Sequence, residues 1–438
     1  MLRILRLLIA LGLLCLVVGA SFVLWLVEPM PGTTGGGPPK PEDIAATRRF
    51  LTEVRSKTFE AAPDQTDRVL TLSETDANGI LRVATRMFPA GHAEVHVLGN
   101  RIYGIASVRV PWPGADRWLN VEGVAPEFKG RPRLDHLAIG DVSLPPAPFI
   151  EAARLAANAI VGGRAGDVFL NSAKALAIVN GEMHLTLSLA EDDKKGFMRG
   201  VFGAMRGHDM PPSEAVDEYY IAVRQAIDDG TLPDRGSYLP VLRFMLTRVL
   251  ERSTDATLAN EYTAGMFGLA KACGAQDFAL VVGRLVGDPL DSFGTWRTGC
   301  SEVVFANRID TRRHFTTAAA IRAASNRGVS VSVGEFKELY DSLGWKQGGF
   351  DFSDIGANQS GIRLSDRIMA GTRADLAATL ALMQAETDVL VDISQLPQIM
   401  PRPEFEARFG SIDSPEYAQK LIEIERLIDQ VPIHMARP

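Results

Sequence analysis

The sequence predicts an α+β protein in three parts: an N-terminal transmembrane helix, an antiparallel-sheet domain with helices on one face, and an all-α helical domain. Three observations carry this. An unbroken apolar run opens the chain. β-rich segments separated by turn pairs occupy much of residues 91–190. From Ser213 onward, apolar residues recur at helical spacing.

The chain has 438 residues, of which 46% are hydrophobic and 23% charged, enough to bury two or three separate cores. Its net charge is −7 and it has no basic stripe with interleaved aromatics, so no nucleic-acid partner is expected. No GxSxG, HExxH, P-loop or dinucleotide fingerprint is present.

"MLRILR" precedes 21 uncharged residues, Leu7 to Val27. At about 1.5 Å per residue this run crosses a hydrocarbon layer of about 30 Å. Arg3 and Arg6 hold the N-terminus in the cytoplasm. The expectation is a single-pass inner-membrane protein with the bulk of the chain periplasmic. Cleavage as a signal peptide after Val18–Ala20 is the alternative reading. The anchor is placed at 1–28, followed by a Pro/Gly-rich tether over 29–42.

Residues 43–192 form the sheet domain. "PEDIAATRRFLTEVRSK" has helical spacing, and "SETDANGILRVATRMF" is a second helix, capped by Ser73 with Asp76 in its first turn. Gly99–Asn100 and Asn180–Gly181 are hairpin turns, and Met183, Leu185, Leu187 and Leu189 alternate with polar residues. Hairpin-length links make the sheet antiparallel. His92, His96, His136 and His184 lie singly on strands or loops, so no metal site is assigned to them. The segment "LSETDANGIL" resembles the helix entry of YpmS-like membrane-anchored extracytoplasmic domains. That resemblance implies a curved antiparallel sheet with an apolar groove suited to lipid or peptide.

Residues 193–212 read as a linker, with an amphipathic turn around Phe197–Met205. The helical domain, 213–400, begins with "SEAVDEYYIAVRQAIDDG", "YLPVLRFMLTRVLERSTD" and "LANEYTAGMFGLAKACG". Cys273 and Cys300 lie 27 residues apart without CxxC spacing. They pair if the compartment oxidises them and are otherwise two separate thiols.

A dense polar cluster follows. Asp310 and His314 are four apart on one helix face. In "EFKELYDS", Glu335, Glu338 and Asp341 recur at steps of three. In the next helix, capped by Asp351 or Ser353, Asp354, Asn358 and Gly361 form one stripe. Arg308, Arg312, Arg313 and Arg363 are the available counter-charges. The order "DxxxHF…KELYDS…GGFDFSDIGANxxG" resembles YfiM-like periplasmic lipoproteins and, more loosely, the VanZ-like family. The likeness covers Asp310, His314, Phe315, Lys337, Glu338, Asp341, Ser342, Asp354, Asn358 and Gly361, and implies a site without implying a reaction.

Three readings of the cluster stand. It is a hydrogen-bonded network fixing three helices. It is a polar pocket for a lipid head group, glycan or envelope protein. Or it is a hydrolase centre, with His314 as base beside Glu338 and with Asp341 or Asp354 as second acid or metal ligand. A binding or assembly factor in the cell envelope is the expectation, with Asp310, Asp354, Asn358 and Gly361 as binding residues. In the alternative, His314, Glu338 and Asp341 are catalytic. The residues name no cofactor. "TRADLAATLALMQAETDVLVDISQLP" reads as one further amphipathic helix, begun by Thr372 with Asp375 at the fourth position, and "SPEYAQKLIEIERLIDQVPIH" as the last, within a C-terminal segment 401–438.

Overall fold

A computed structural model of the chain describes residues 26–33, 39–54, 68–87, 91–110, 116–161, 165–188, 211–274, 299–325, 330–331 and 349–435. They fall into two compact units. One is drawn from Met1–Pro39, Ala45–Ala156 and Gly166–Leu189, the other from Lys40–Ile44, Ala157–Ala165 and Ala190–Pro438. The fold is mixed α and β, with antiparallel sheets and a helical C-terminal region. Among the described residues no helix is long and apolar enough to cross a membrane. Residues 7–25 of the apolar run, the 193–210 linker and the Phe197–Met205 turn lie outside the described residues.

The elements of the first unit, in chain order, are β1 (Val27–Glu28), α1 (Pro41–Val54, which crosses the division), β2 (Arg68–Leu72), α2 (Glu74–Met87), β3 (Gly91–Leu98), β4 (Arg101–Val110), β5 (Arg117–Pro126), β6 (Phe128–Lys129), β7 (His136–Ile139), β8 (Val142–Ser143), α3 (Pro146–Val161), α4 (Ala165–Ser172), β9 (Ala173–Val179) and β10 (Glu182–Leu187). They build two antiparallel sheets where the sequence reading expects one. The first runs β3-β4-β5-β7-β8 with β1 added on β5, and the second runs β2-β10-β9-β6. The second sheet arises because β2 pairs with β10, far along the chain, and β6 leaves its neighbours to pair with β9. Ala77 of α2 packs with Leu176 and Met183 of the second sheet and with Val95, Val97 and Ile102 of the first, so the core lies between them.

Both expected hairpin turns form. Gly99 has φ +64°, and Asn180 and Gly181 have φ +55° and +82°, the left-handed pair that a two-residue turn requires. The "LSETDANGIL" entry has a specific task. Ser73 Oγ accepts from Asp76 N at 3.1 Å, capping α2. Asn78 then pairs with both backbone groups of Val95, at 2.9 and 2.7 Å, and Glu74 Oε2 accepts from Val97 N at 2.8 Å. Side chains of α2 thus cover the open edge of β3, a device that blocks sheet-to-sheet association.

The start of the unit departs from both the end of the expected 1–28 anchor and the 29–42 tether. Val27 and Glu28 pair with Leu119 and Trp118. The backbone N–H of Gly32 donates to Asn120 Oδ1 at 2.9 Å and to Ser107 Oγ at 3.0 Å. Buried Asn120 and Ser107 need polar partners, and the chain entering the unit supplies them.

The second unit contains α5 (Ser213–Asp228), β11 (Arg235–Ser237), α6 (Leu239–Arg252), α7 (Leu258–Cys273), β12 (Glu302–Val304), α8 (Ile309–Ala324), α9 (Phe352–Ala370), α10 (Arg373–Leu382), α11 (Arg402–Phe409), α12 (Pro415–Asp429) and α13 (Pro432–Met435). It is not purely helical: β11 and β12 form a three-residue parallel pair. α7 is buried nearly all round, as befits a central helix. Its Gly268 lies against the Val216 carbonyl and Tyr219 of α5, where a Cβ would meet atoms at 2.7–2.8 Å. Cys273, at the end of α7, forms a disulfide with Cys300.

The helix expected over residues 372–397 stops at Leu382. Thr372 and Asp375 form a reciprocal capping box at its start. At its end Arg243 of α6 donates to the carbonyls of Leu380 and Met383, taking groups that a longer helix would use. Asp388 accepts from Gln384 N and Ala385 N and opens a short 3₁₀ turn instead. The C-terminal helices pack onto the start of α9 through a ring cluster of Phe350, Phe352, Phe405, Phe409 and Tyr417.

Candidate functional site

The candidate site is built where α8 and α9 begin. Upstream of α8, "FANR" makes a tight reversal in which Phe305 and Arg308 exchange both backbone hydrogen bonds, at 3.0 and 3.1 Å. Ala306 and Asn307 at its tip have φ +49° and +60°. An alanine held there is strained, and Glu386 Oε2 holds it by accepting from Ala306 N at 2.8 Å. The reversal delivers Arg308 to the head of α8. Asp351 caps α9, accepting from Ser353 N at 2.8 Å and from Ser353 Oγ at 2.5 Å. The helices then cross closely because Gly361 on α9 rests on the backbone carbonyl of Phe315 on α8, leaving no room for a side chain.

His314 is the middle of the arrangement. Its Nε2 is 3.1 Å from Asp354 Oδ2 and 3.7 Å from Asp310 Oδ1. Its Nδ1 lies 3.1 Å from Asn358 Oδ1. Arg308 Nη2 meets the opposite oxygens of the same two acids, Asp354 Oδ1 at 3.4 Å and Asp310 Oδ2 at 3.6 Å, and also Asp351 Oδ2 at 3.1 Å. Each of Asp310 and Asp354 therefore bridges a guanidinium on one oxygen and an imidazole on the other. The side chains of His314 and Asp354 are 4% exposed, whereas that of Asp310 is 50% exposed, so one acid brings the centre to the surface.

Burial works against the charge of Arg308, but Asp354, Asp351 and Asp310 outweigh it and hold the guanidinium above its ordinary range. Arg312, one turn along, takes no part. Burial pushes it down to about 10, and its Nη1 donates to the carbonyls of Val303, at 2.7 Å, and Cys300. Arg363 turns outward to Glu425 and Asp429.

Asp310, His314, Asp354 and Asn358 thus converge, as their spacing suggests. Gly361 lies a turn further on, at the helix crossing. Glu338 and Asp341, with the rest of "EFKELYDS", lie outside the described residues. The strained "FANR" reversal and Glu386 are absent from the sequence reading. Asn307 is the one local signal for the reversal, and nothing local points to Glu386. Comparison with family models, with curated proteins and with solved structures finds no match to the chain.

Chemically, the centre offers carboxylate oxygens and an imidazole fixed in orientation. Among its described residues, three carboxylates stand against one guanidinium. A cationic or proton-donating group is the natural complement of such a centre.

Proposed function

We propose that the chain is a membrane-anchored protein of the bacterial cell envelope, held in the inner membrane by the apolar run that precedes β1, with its bulk in the periplasm. Its helical unit acts as a binding or assembly factor for a lipid, glycan or protein partner. The observation that carries this reading is the half-exposed Asp310 joined to buried His314 and Asp354. A network serving only to fix helices gains nothing from bringing a carboxylate to the surface, whereas a binding centre needs that access. The exposed carboxylate of Asp310 suits a partner that presents a hydrogen-bond donor, as the ammonium groups of phosphatidylethanolamine and peptidoglycan peptides do. The Cys273–Cys300 disulfide suits an oxidising compartment. The likeness of the 310–361 segment to YfiM-like lipoproteins supports the same placement.

A hydrolase is the second reading, favoured by the Asn358 contact that orients the His314 ring. It is the weaker one, because Nε2 faces two carboxylates and not an open substrate position.

The test is a titration of the full chain in detergent with phosphatidylethanolamine vesicles and, separately, with ammonium-bearing peptidoglycan fragments. Asp310→Asn should weaken binding of one probe about tenfold while leaving the urea midpoint in place. Equal binding by wild type and Asp310→Asn would overturn the binding reading. Ester-probe turnover lost in His314→Gln would move the assignment to the hydrolase.

A further inference from the structure

We propose that Asp310, His314 and Asp354 bind a first-row divalent metal ion, Zn²⁺ in preference to Mn²⁺. The inference rests on reading the cluster as a binding centre and names what it holds first.

The spacing fits an ion. One ligand atom from each of the three residues lies within 4.8 Å of the others. A metal about 2.0–2.2 Å from nitrogen and oxygen ligands sets them roughly 3–3.5 Å apart. The pair between His314 Nε2 and Asp354 Oδ2, at 3.1 Å, already meets this, and Asp310 Oδ1 at 3.7 Å needs a small rotation of an exposed side chain.

The hydrogen bonding points the same way. Asn358 sets its carbonyl oxygen 3.1 Å from His314 Nδ1, where it accepts from the ring in the tautomer protonated at Nδ1. The Nε2 lone pair then faces two carboxylate oxygens, an arrangement that a cation between them stabilises. This is the way metal-binding histidines are commonly held, with the second nitrogen fixed by an oxygen acceptor. Arg308 does not fill the position. Its Nη2 meets Asp354 Oδ1 and Asp310 Oδ2, the oxygens turned away from His314.

The second observation is Asn358 itself. It is 5% exposed, and its amide nitrogen has no hydrogen-bond partner. A buried donor without an acceptor is costly. It borders the Nδ1 side of the His314 ring, where a water drawn in with the ion would satisfy it.

One imidazole and two carboxylates form a mixed nitrogen–oxygen set that suits first-row ions, and the general affinity order puts Zn²⁺ above Mn²⁺. An all-oxygen set would suit Ca²⁺ or Mg²⁺ better. Three protein ligands leave at least one position for water or for a group on the partner.

The experiment uses the full chain in detergent, stripped with chelator and then titrated calorimetrically with Zn²⁺ and with Mn²⁺. The expected result is one ion per chain, tighter for Zn²⁺. Asp310→Asn should lose at least tenfold in affinity, and His314→Gln should lose the site. If His314→Gln does not fold, imidazole nitrogen spectra of the wild type decide instead. A shift at Nε2 on adding Zn²⁺ supports the site. An imidazolium pattern that Zn²⁺ leaves unchanged overturns it. Zn²⁺ affinity equal in wild type and Asp310→Asn also overturns it, since the ion would then lie elsewhere. Partner binding that needs Asp310 in chelator-stripped protein leaves the binding centre standing and refutes the metal. Zn²⁺ binding without any Asp310-dependent partner refutes the binding centre and supports the metal.

Discussion

Gly361 of α9 lies directly over the backbone carbonyl of Phe315 on α8, and a methyl group at 361 would fall inside contact distance of that oxygen. The obstruction is backbone, which cannot swing aside. Gly361→Ala should therefore push the helices apart and lower unfolding stability by about 2–4 kcal/mol. Because the same crossing sets Asn358 against His314, the substitution should also weaken any ligand of the cluster. A urea midpoint matching the wild type would show that the crossing is slack.

Asn78 is a bidentate partner of Val95 at the edge of the first sheet. Asn78→Leu keeps the bulk but leaves both backbone groups unsatisfied. We expect a loss of about 1–3 kcal/mol, together with concentration-dependent association through the uncovered β3 edge. Light scattering across a dilution series reads the second effect. A variant that is destabilised yet strictly monomeric would argue against the edge-covering role.

His434, in the short α13, gives a pH dependence. Burial, aided by Arg363 and Arg367, holds its imidazole down at about 3. In the unfolded chain it titrates near its ordinary value of about 6.5. Between these values the unfolded chain binds a proton that the folded chain refuses. The stability is fully present above about pH 6.5. It is lost as pH falls toward 3, with a slope approaching about 1.4 kcal/mol per pH unit. His434→Gln should flatten the urea midpoint between pH 6.5 and 4.5, a window mostly above ordinary carboxylate titration. An unchanged slope would remove His434 from the account.

The Cys273–Cys300 disulfide spans a sequence separation of 27. In the chain-entropy description, closing a loop of that size stabilises the fold by about 3–4 kcal/mol. Reduction, or Cys273→Ser, should lower the urea midpoint accordingly. Arg312 holds the Cys300 carbonyl independently, so the reduced protein should keep its helical circular dichroism at neutral pH.

Local features were legible in the sequence. The Asn180–Gly181 turn, the Thr372–Asp375 box, the Asp351 cap and the Asp310–His314 step are each set by residues within four positions of one another. Long-range partners were not. β2 meets β10, Glu28 and Gly32 meet Asn120, and Arg243 ends α10, each across many intervening residues. No periodicity encodes such meetings, since they follow from which buried polar groups need satisfying after the chain has folded. The candidate site shows both cases. The Asp354–Asn358 stripe was readable on one helix, but the register that turns Asn358 toward His314 depends on the glycine at the crossing.

The bond between Cys273 and Cys300 also changes what a protease can achieve. Residues 274–299 form the stretch of chain between the paired cysteines. A single cut there leaves the polypeptide one covalent molecule, with α7 still tied to the turn before β12. On a denaturing gel a nicked sample should migrate as a whole chain until a thiol is added, and only then separate into two pieces. A protease that cuts there thus does not release the part of the chain that carries Asp310, His314 and Asp354.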